Sequence, residues 1–216
     1  MRAVLESLLR ARKLDVTLTP SEAGPISPER VASTGDAELD AALGGGLRRG
    51  HVSEITGAPS TGRATLVTRL LVAATARGEA TAIVDASDTW DPASAHPHGV
   101  ALECVLWVRE RGDAMRALKA FSLILQAGGF GLVVLDLADV PAAAIRRFPA
   151  TTWMRAARLV EGRDTVALLV GAERIARSAG GATILLETSR PGWRGTAHRA
   201  RLFTGVEPAP RVVRAR

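Results

Sequence analysis

The stretch His51-Val-Ser-Glu-Ile-Thr-Gly57-Ala-Pro-Ser-Thr-Gly62-Arg63-Ala64-Thr65, followed by Leu66-Val-Thr-Arg-Leu-Leu71, decides the fold. His51–Thr56 reads as a short strand. Leu66, Leu70, Leu71 and Ala74 then recur at helical spacing through Ala76. Between them, Gly57 and Gly62 bracket four residues, the spacing of a phosphate-binding loop, G-x-x-x-x-G-K-[ST], in its strand–loop–helix context. Glycines let such a loop curl until its N–H groups converge, and the helix N-terminus adds a positive dipole end. The lysine of the pattern reaches the β- and γ-phosphates, and the hydroxyl after it holds Mg²⁺. Here those two places are Arg63 and Ala64. A methyl cannot ligand a metal. Thr65 lies about 100° further round a helix of ~3.6 residues per turn. Arg63 keeps the charge on a bulkier planar fork.

Outward from the loop, strands and helices alternate. Thr81–Val84, Leu132–Leu135 and Val166–Val170 read as buried strands. Asp113–Gln126 and Trp153–Glu161 read as helices, and Thr183–Glu187 and Ala200–Phe203 as weaker strands. Val105–Val108 is an apolar run expected to pack. The pattern predicts an α/β domain: a mainly parallel sheet with helices on both faces. Ligands in such sheets bind beyond the strand C-terminal ends. The expected organisation is an N-terminal helix over residues 1–14, a Pro/Ser/Gly-rich linker over 15–30, a core over 31–206 and a frayed tail over 207–216.

Composition narrows the class. With 216 residues and 47% hydrophobic content, the chain can bury one sizeable core. No apolar run reaches the ~20 residues that cross a bilayer, and Arg2, Glu6 and Arg10 interrupt the N-terminal apolar stretch. A cytoplasmic protein without membrane contact is expected. Cys104 is the one cysteine, which excludes an internal disulfide framework and a Cys-based zinc site; His51, His96, His98 and His198 form no convincing metal set. No metal or cofactor is expected. The net charge of +6 is uneven: residues 141–216 carry 14 basic and 5 acidic side chains, against 14 and 17 in residues 1–140. A basic last third suits phosphate backbones or an acidic protein surface.

The run Val31-Ala-Ser-Thr-Gly-Asp-Ala-Glu-Leu-Asp-Ala-Ala-Leu-Gly-Gly-Gly-Leu-Arg-Arg-Gly50, leading straight into the loop, resembles the segment before the phosphate loop in the RecA recombinase family. The resemblance continues through Ile83–Pro92, Gly99-Val100, Gly112–Gln126 and Leu132–Asp136, and more faintly to about Arg190. It implies a RecA-like core in which the vestigial nucleotide site comprises Gly57, Gly62, Arg63, Thr65 and Asp136, the last matching the Walker B aspartate. It also implies losses. The acidic residue that polarises the attacking water falls at Ser87, the adenine-stacking aromatic at Ser94, and the glutamine sensor at Gly171-Ala172. With Arg63 and Ala64 these make five changed features, and the expectation is a protein that is not an enzyme.

The two DNA-binding loops implied by the resemblance are short. Arg146, Arg147, Arg174 and Arg177 are the candidate DNA contacts, for weak and non-specific binding. Within the RecA-like family, a short member with a degenerate nucleotide site is similar to the ImuA group of the bacterial damage-inducible mutagenesis cassette. That likeness implies an accessory role in SOS-induced translesion synthesis, with an ImuB-like Y-family polymerase relative, RecA and the chain itself as partners. Candidate partner contacts are Leu5, Leu8 and Leu9 on the amphipathic N-terminal helix, and Trp193 between Arg190 and Arg194. Two other readings stand beside it: a RecA-like ATPase with a divergent loop acting in DNA repair, and an SOS cell-division inhibitor.

Overall fold

The structure, a computed structural model, describes residues 30–149, 151–176, 180–195 and 201–214. The expected N-terminal helix with Leu5, Leu8 and Leu9, nearly all of the linker, and Arg177 lie outside the described residues. The described chain opens with a small antiparallel ladder, β1 (Val31–Ala32) on β2 (Leu47–Arg48), closed over α1 (Ala37–Leu43). Asp36 caps α1, its carboxylate accepting from the Leu39 N–H at 3.0 Å, and Gly44 ends it with φ of 74°.

The main sheet contains β3 (Val52–Gly57), β4 (Thr81–Asp85), β5 (Val105–Arg109), β6 (Leu132–Asp136), β7 (Val166–Gly171), β8 (Gly180–Arg194) and β9 (Leu202–Arg214). Its order is β5-β4-β6-β7-β3-β8-β9, parallel throughout except for the β8–β9 hairpin. The helices are α2 (Arg63–Ala76), α3 (Pro92–Ala95), α4 (Ala114–Ala127), α5 (Ala142–Ile145) and α6 (Thr152–Val160). The α/β class read from the sequence is the one observed.

Successive strand residues point to opposite faces, so a strand buried on both faces must be apolar at every position. In β4, Ile83 joins the core under α2 with Ile55, Leu66, Leu71, Val134 and Leu168. Its neighbours Ala82 and Val84 join the opposite core with Phe121 and Leu125 of α4 and Val160 of α6. The two cores clamp the sheet and hold the C-terminal ends of β3, β4 and β6 together at one edge.

One expectation is corrected. Residues 207–214 of the expected frayed tail form the second half of β9, so the core extends past 206 to Arg214. They pair antiparallel with β8, Glu207 opposite Arg190 and Pro210 opposite Leu186. Pro208 and Pro210 are tolerated because β9 is an edge strand, where a missing N–H breaks no further ladder. Both salt-bridging oxygens of Glu207 meet Arg69 of α2 at 2.8 Å. The Val105–Val108 run forms the other edge strand, β5, and packs as expected: Val105 and Trp107 lie on one core and Val108 on the other, with Leu106 left 44% exposed. Among the described residues no helix is long and apolar enough to cross a membrane.

Candidate functional site

The β3–α2 junction curls tightly. Gly57 leaves β3 under the Leu186 carbonyl, and a Cβ on it would stand 2.5 Å from that oxygen and 2.7 Å from the Thr61 hydroxyl. The Thr61 hydroxyl donates to the Ala58 carbonyl at 2.8 Å, Ser60 has φ of 65°, and Gly62 has φ of 94°. Gly62 supplies no side-chain cap to α2. The first N–H groups of a helix have no partner within it, so this junction retains the electrostatics of an anion cradle.

What surrounds the cradle differs from an open nucleotide site. Arg63 is only 8% exposed. Its guanidinium crosses to the loop after β6, donating to the Ala138 carbonyl at 3.2 Å and standing 3.5 Å from Asp139. Pro208 of β9 lies against Gly62, where a Cβ would come within 2.8 Å of the proline Cβ. Ser189 of β8 donates to the Ser60 carbonyl at 3.1 Å. The hairpin thus lies across the loop.

Asp136 ends β6 beside Asp85 of β4. Burial, joined by the charges of Asp85 and Asp139, pushes its pKa up to about 6, against the lowering effects of the Ala138 N–H and Arg63. Fully buried Asp85 accepts from the backbone N–H groups of Ser87 at 3.2 Å and Trp90 at 2.8 Å, folding the turn that places Ser87 at the strand end. Asp88, with φ of 58°, turns to β5 and β5's flank, where it pairs with Arg109 and, at 3.7 Å, with Arg111. The hydrogen bond from Arg109 holds its carboxyl below the ordinary range. Asp88 is thus engaged with the arginines at the end of β5 rather than turned toward Ser87. At the end of β7, Gly171 admits Ile175, whose Cδ1 would be 2.5 Å from a Cβ there.

A groove of about 720 Å³ begins where the loop ends. Ala64, Thr65 and Arg69 of α2 form its floor, Trp90 and Ser94 one wall, and Thr204–Glu207 of β9 the other. None of its lining residues comes from Gly57–Arg63. Ser94 is tied to Asp91, the cap of α3, and His98 faces the Ser94 carbonyl at 2.7 Å.

The other candidate residues are scattered. Arg146 and Arg147 are exposed beyond α5. Arg174 is engaged with Glu54 at 3.2 Å, its side chain 44% exposed. Trp193 is 52% exposed near the far end of the hairpin, stacked edge-on against Phe203. Sequence reasoning missed Glu54. Buried in the middle of β3, its carboxylate accepts from the Ile175 and Ala176 N–H groups at 3.0 Å and the Thr183 hydroxyl at 2.9 Å. A single acid inside a strand otherwise destined for burial was the available signal.

A curled glycine loop between a central strand and a helix, in a parallel sheet of this order, defines the phosphate-loop class of α/β proteins. The chain belongs to the RecA N-terminal domain family, whose model matches residues 23–156. It is similar to protein RecA of Chlorobium chlorochromatii, 39% identical over 105 residues, covering 48% of this chain and 30% of that one. Protein RecA of Leifsonia xyli subsp. xyli is 36% identical over 122 residues, covering 55% and 34%. The chain spans about a third of the length of these curated relatives.

Proposed function

We propose that this protein is a RecA-like accessory factor of DNA repair that does not hydrolyse nucleotide and acts by binding other proteins. One observation carries the reading: the residue at the catalytic lysine position, Arg63, is committed to Ala138 and Asp139, beside an Ala64 that offers no metal ligand. Ser87 adds the lack of a base. The role that fits is cytoplasmic and SOS-induced, in translesion synthesis and mutagenesis, as in the ImuA group. Its partners would be an ImuB-like Y-family polymerase relative, RecA, and further copies of the chain, reached through Leu5, Leu8 and Leu9.

The test joins two measurements on the full chain. Purified protein is assayed for phosphate release from ATP with and without single-stranded DNA, and tagged protein is recovered from DNA-damaged cells for identification of what comes with it. No hydrolysis above a blank, with a polymerase relative or RecA co-purifying, supports the reading. Turnover that Asp136→Ala abolishes would instead favour the divergent ATPase, a reading kept in view by the surviving Asp136 and the adjoining groove. Recovery of the cell-division GTPase would point to the inhibitor.

A further inference from the structure

β9 pairs with β8 on one side, and among the described residues no strand pairs with its outer edge. Two cavities lie along that edge. The groove of about 720 Å³ is bordered by Thr204–Glu207, and a second cavity, of about 370 Å³, by Glu207–Pro210. A sheet face would offer every other residue, so four in succession mean that the edge of the strand itself forms the wall. The two cavities meet at Glu207 and together follow β9 from Thr204 to Pro210. At ~3.3 Å per residue this trough is roughly 20 Å long, the length of an ordinary strand. Its other side is α2 along the first cavity and α1 along the second.

The prolines tell which backbone groups face the trough. In an antiparallel pair, residues alternate between exchanging N–H and C=O groups with the partner and turning both away from it. Pro208 and Pro210 have no N–H to exchange, so they hold the outward positions. Val206 shares their alternation, and Pro191, directly opposite it on β8, has no N–H either. Val206 therefore turns its N–H and its carbonyl away from β8, in line with the carbonyls of Pro208 and Pro210. Across the groove lie Val72 and Ala73, an apolar flank of α2. Unpaired backbone groups in a row beside an apolar flank are a template for an added strand.

Charge selects the strand. The cavities are lined by Asp36, Glu38, Asp91 and Glu207 against Arg69 and Arg190, an acidic surplus in a chain of net charge +6. Arg69 is already engaged with Asp36 at 3.5 Å and with Glu207 at 2.8 Å. Such a surplus repels phosphates and attracts basic side chains. We propose that the trough along the outer edge of β9 is a docking site for an extended basic segment of a partner protein, which joins the sheet as a further strand beside Val206. The proposal rests on the reading that this protein acts by binding other proteins, and it adds a surface distinct from the N-terminal leucines.

The probe is a displayed library of random linear peptides, selected on the full-length protein; the enriched peptides are then labelled and titrated by fluorescence anisotropy. They should be rich in lysine or arginine. Val206→Pro removes one outward N–H and spares the β8 ladder, and it should weaken binding by about tenfold. Methylating alternate amides of the peptide should abolish binding in one register and spare it in the other, because only one set of peptide N–H groups faces β9. Glu38→Lys should weaken binding at low salt and matter less at raised salt. Amide hydrogen exchange at Val206 should slow when peptide saturates the protein. Should Val206→Pro fail to fold, the methylated peptides and the exchange measurement decide, since both leave the protein unaltered. Failure to enrich any peptide above a protein-free surface overturns the proposal, as do enrichment of acidic peptides, indifference to methylation in both registers, or unchanged exchange at Val206. Slowed exchange at Val206 with ATP alone would give the trough to a nucleotide, and slowed exchange with rising protein concentration alone would give it to a second copy; either result overturns the proposal. Neither readout uses ATP turnover or Leu5, Leu8 and Leu9, so failure here and failure of the accessory-factor reading are told apart.

Discussion

Pro208 of the edge strand rests on Gly62 of the phosphate loop, leaving no space for a Cβ on the glycine. The contact ties β9 to the residue that opens α2. Gly62 also has φ of 94°, a conformation that L side chains adopt only with strain. Gly62→Ala is therefore expected to cost about 1–3 kcal/mol in urea denaturation. Pro208→Ala, which leaves the backbone in place, is expected to cost less than about 1.5 kcal/mol. A Gly62→Ala midpoint equal to wild type would show that the hairpin yields freely at this point.

Glu54 should be among the costliest polar positions to lose. Glu54→Ala strands the Ile175 and Ala176 N–H groups and the Thr183 hydroxyl, which now share one buried carboxylate. A loss of about 3 kcal/mol or more is expected, since breaking a buried charged network leaves its partners uncompensated. Arg174→Ala is expected to cost under about 1 kcal/mol, because that end of the ion pair is open to solvent. Comparable losses in the two variants would contradict this division.

Asp136 makes stability depend on pH with a definite sign. Its pKa of about 6 in the folded chain lies above the ordinary carboxyl value of 3.8. The folded protein therefore holds a proton that the unfolded chain has released. The protonated group's contribution is fully present below the ordinary pKa and is lost as pH rises through about 6. Asp136→Asn, which carries no charge, should gain relative to wild type across that window, reaching up to about 3 kcal/mol near neutrality. Melting curves of both proteins between pH 4 and pH 8 provide the check, and a constant difference across the range would refute it.

Nucleotide should leave the protein's melting temperature unchanged. A ligand present at a hundred times its Kd adds about 2.7 kcal/mol to stability, which a thermal scan resolves easily. With Arg63 lodged against Ala138 and no hydroxyl at Ala64, millimolar Mg·ATP is expected to give no more shift than the same concentration of inorganic triphosphate. A clear rise with Mg·ATP alone would mean that the arginine moves aside.

The central strands and helices were legible because burial on two faces writes itself into the chain as unbroken apolar runs such as Leu132–Leu135 and Val166–Val170. Asp113–Gln126 was read as a helix, and the structure starts α4 one residue later with Asp113 as its cap, the carboxylate accepting from the Arg116 N–H at 3.0 Å. The hairpin was less legible. Pro208, Pro210 and their arginine neighbours are the residues of a loose tail, and only their place at a sheet edge makes them a strand. The residue types at Ala64 and Ser87 could be read directly. The destination of Arg63 could not, since Ala138 and Asp139 stand more than seventy residues further on and meet it only through the fold. Glu54 was passed over for a similar reason: its donors come from the loop after β7 and from β8.

The order of strands in the sheet has a consequence for synthesis. β9 is made after every other strand of the sheet, yet it forms the outer edge next to β8 and seats the proline against the phosphate loop. While residues 202–214 are still within the ribosome, the outer backbone edge of β8 stays open, with Ile184 and Leu186 nearby. Bare strand edges of this kind recruit other chains. A nascent chain halted before Val206, or a product truncated there, would therefore present a sticky edge, which β9 conceals once it pairs with β8.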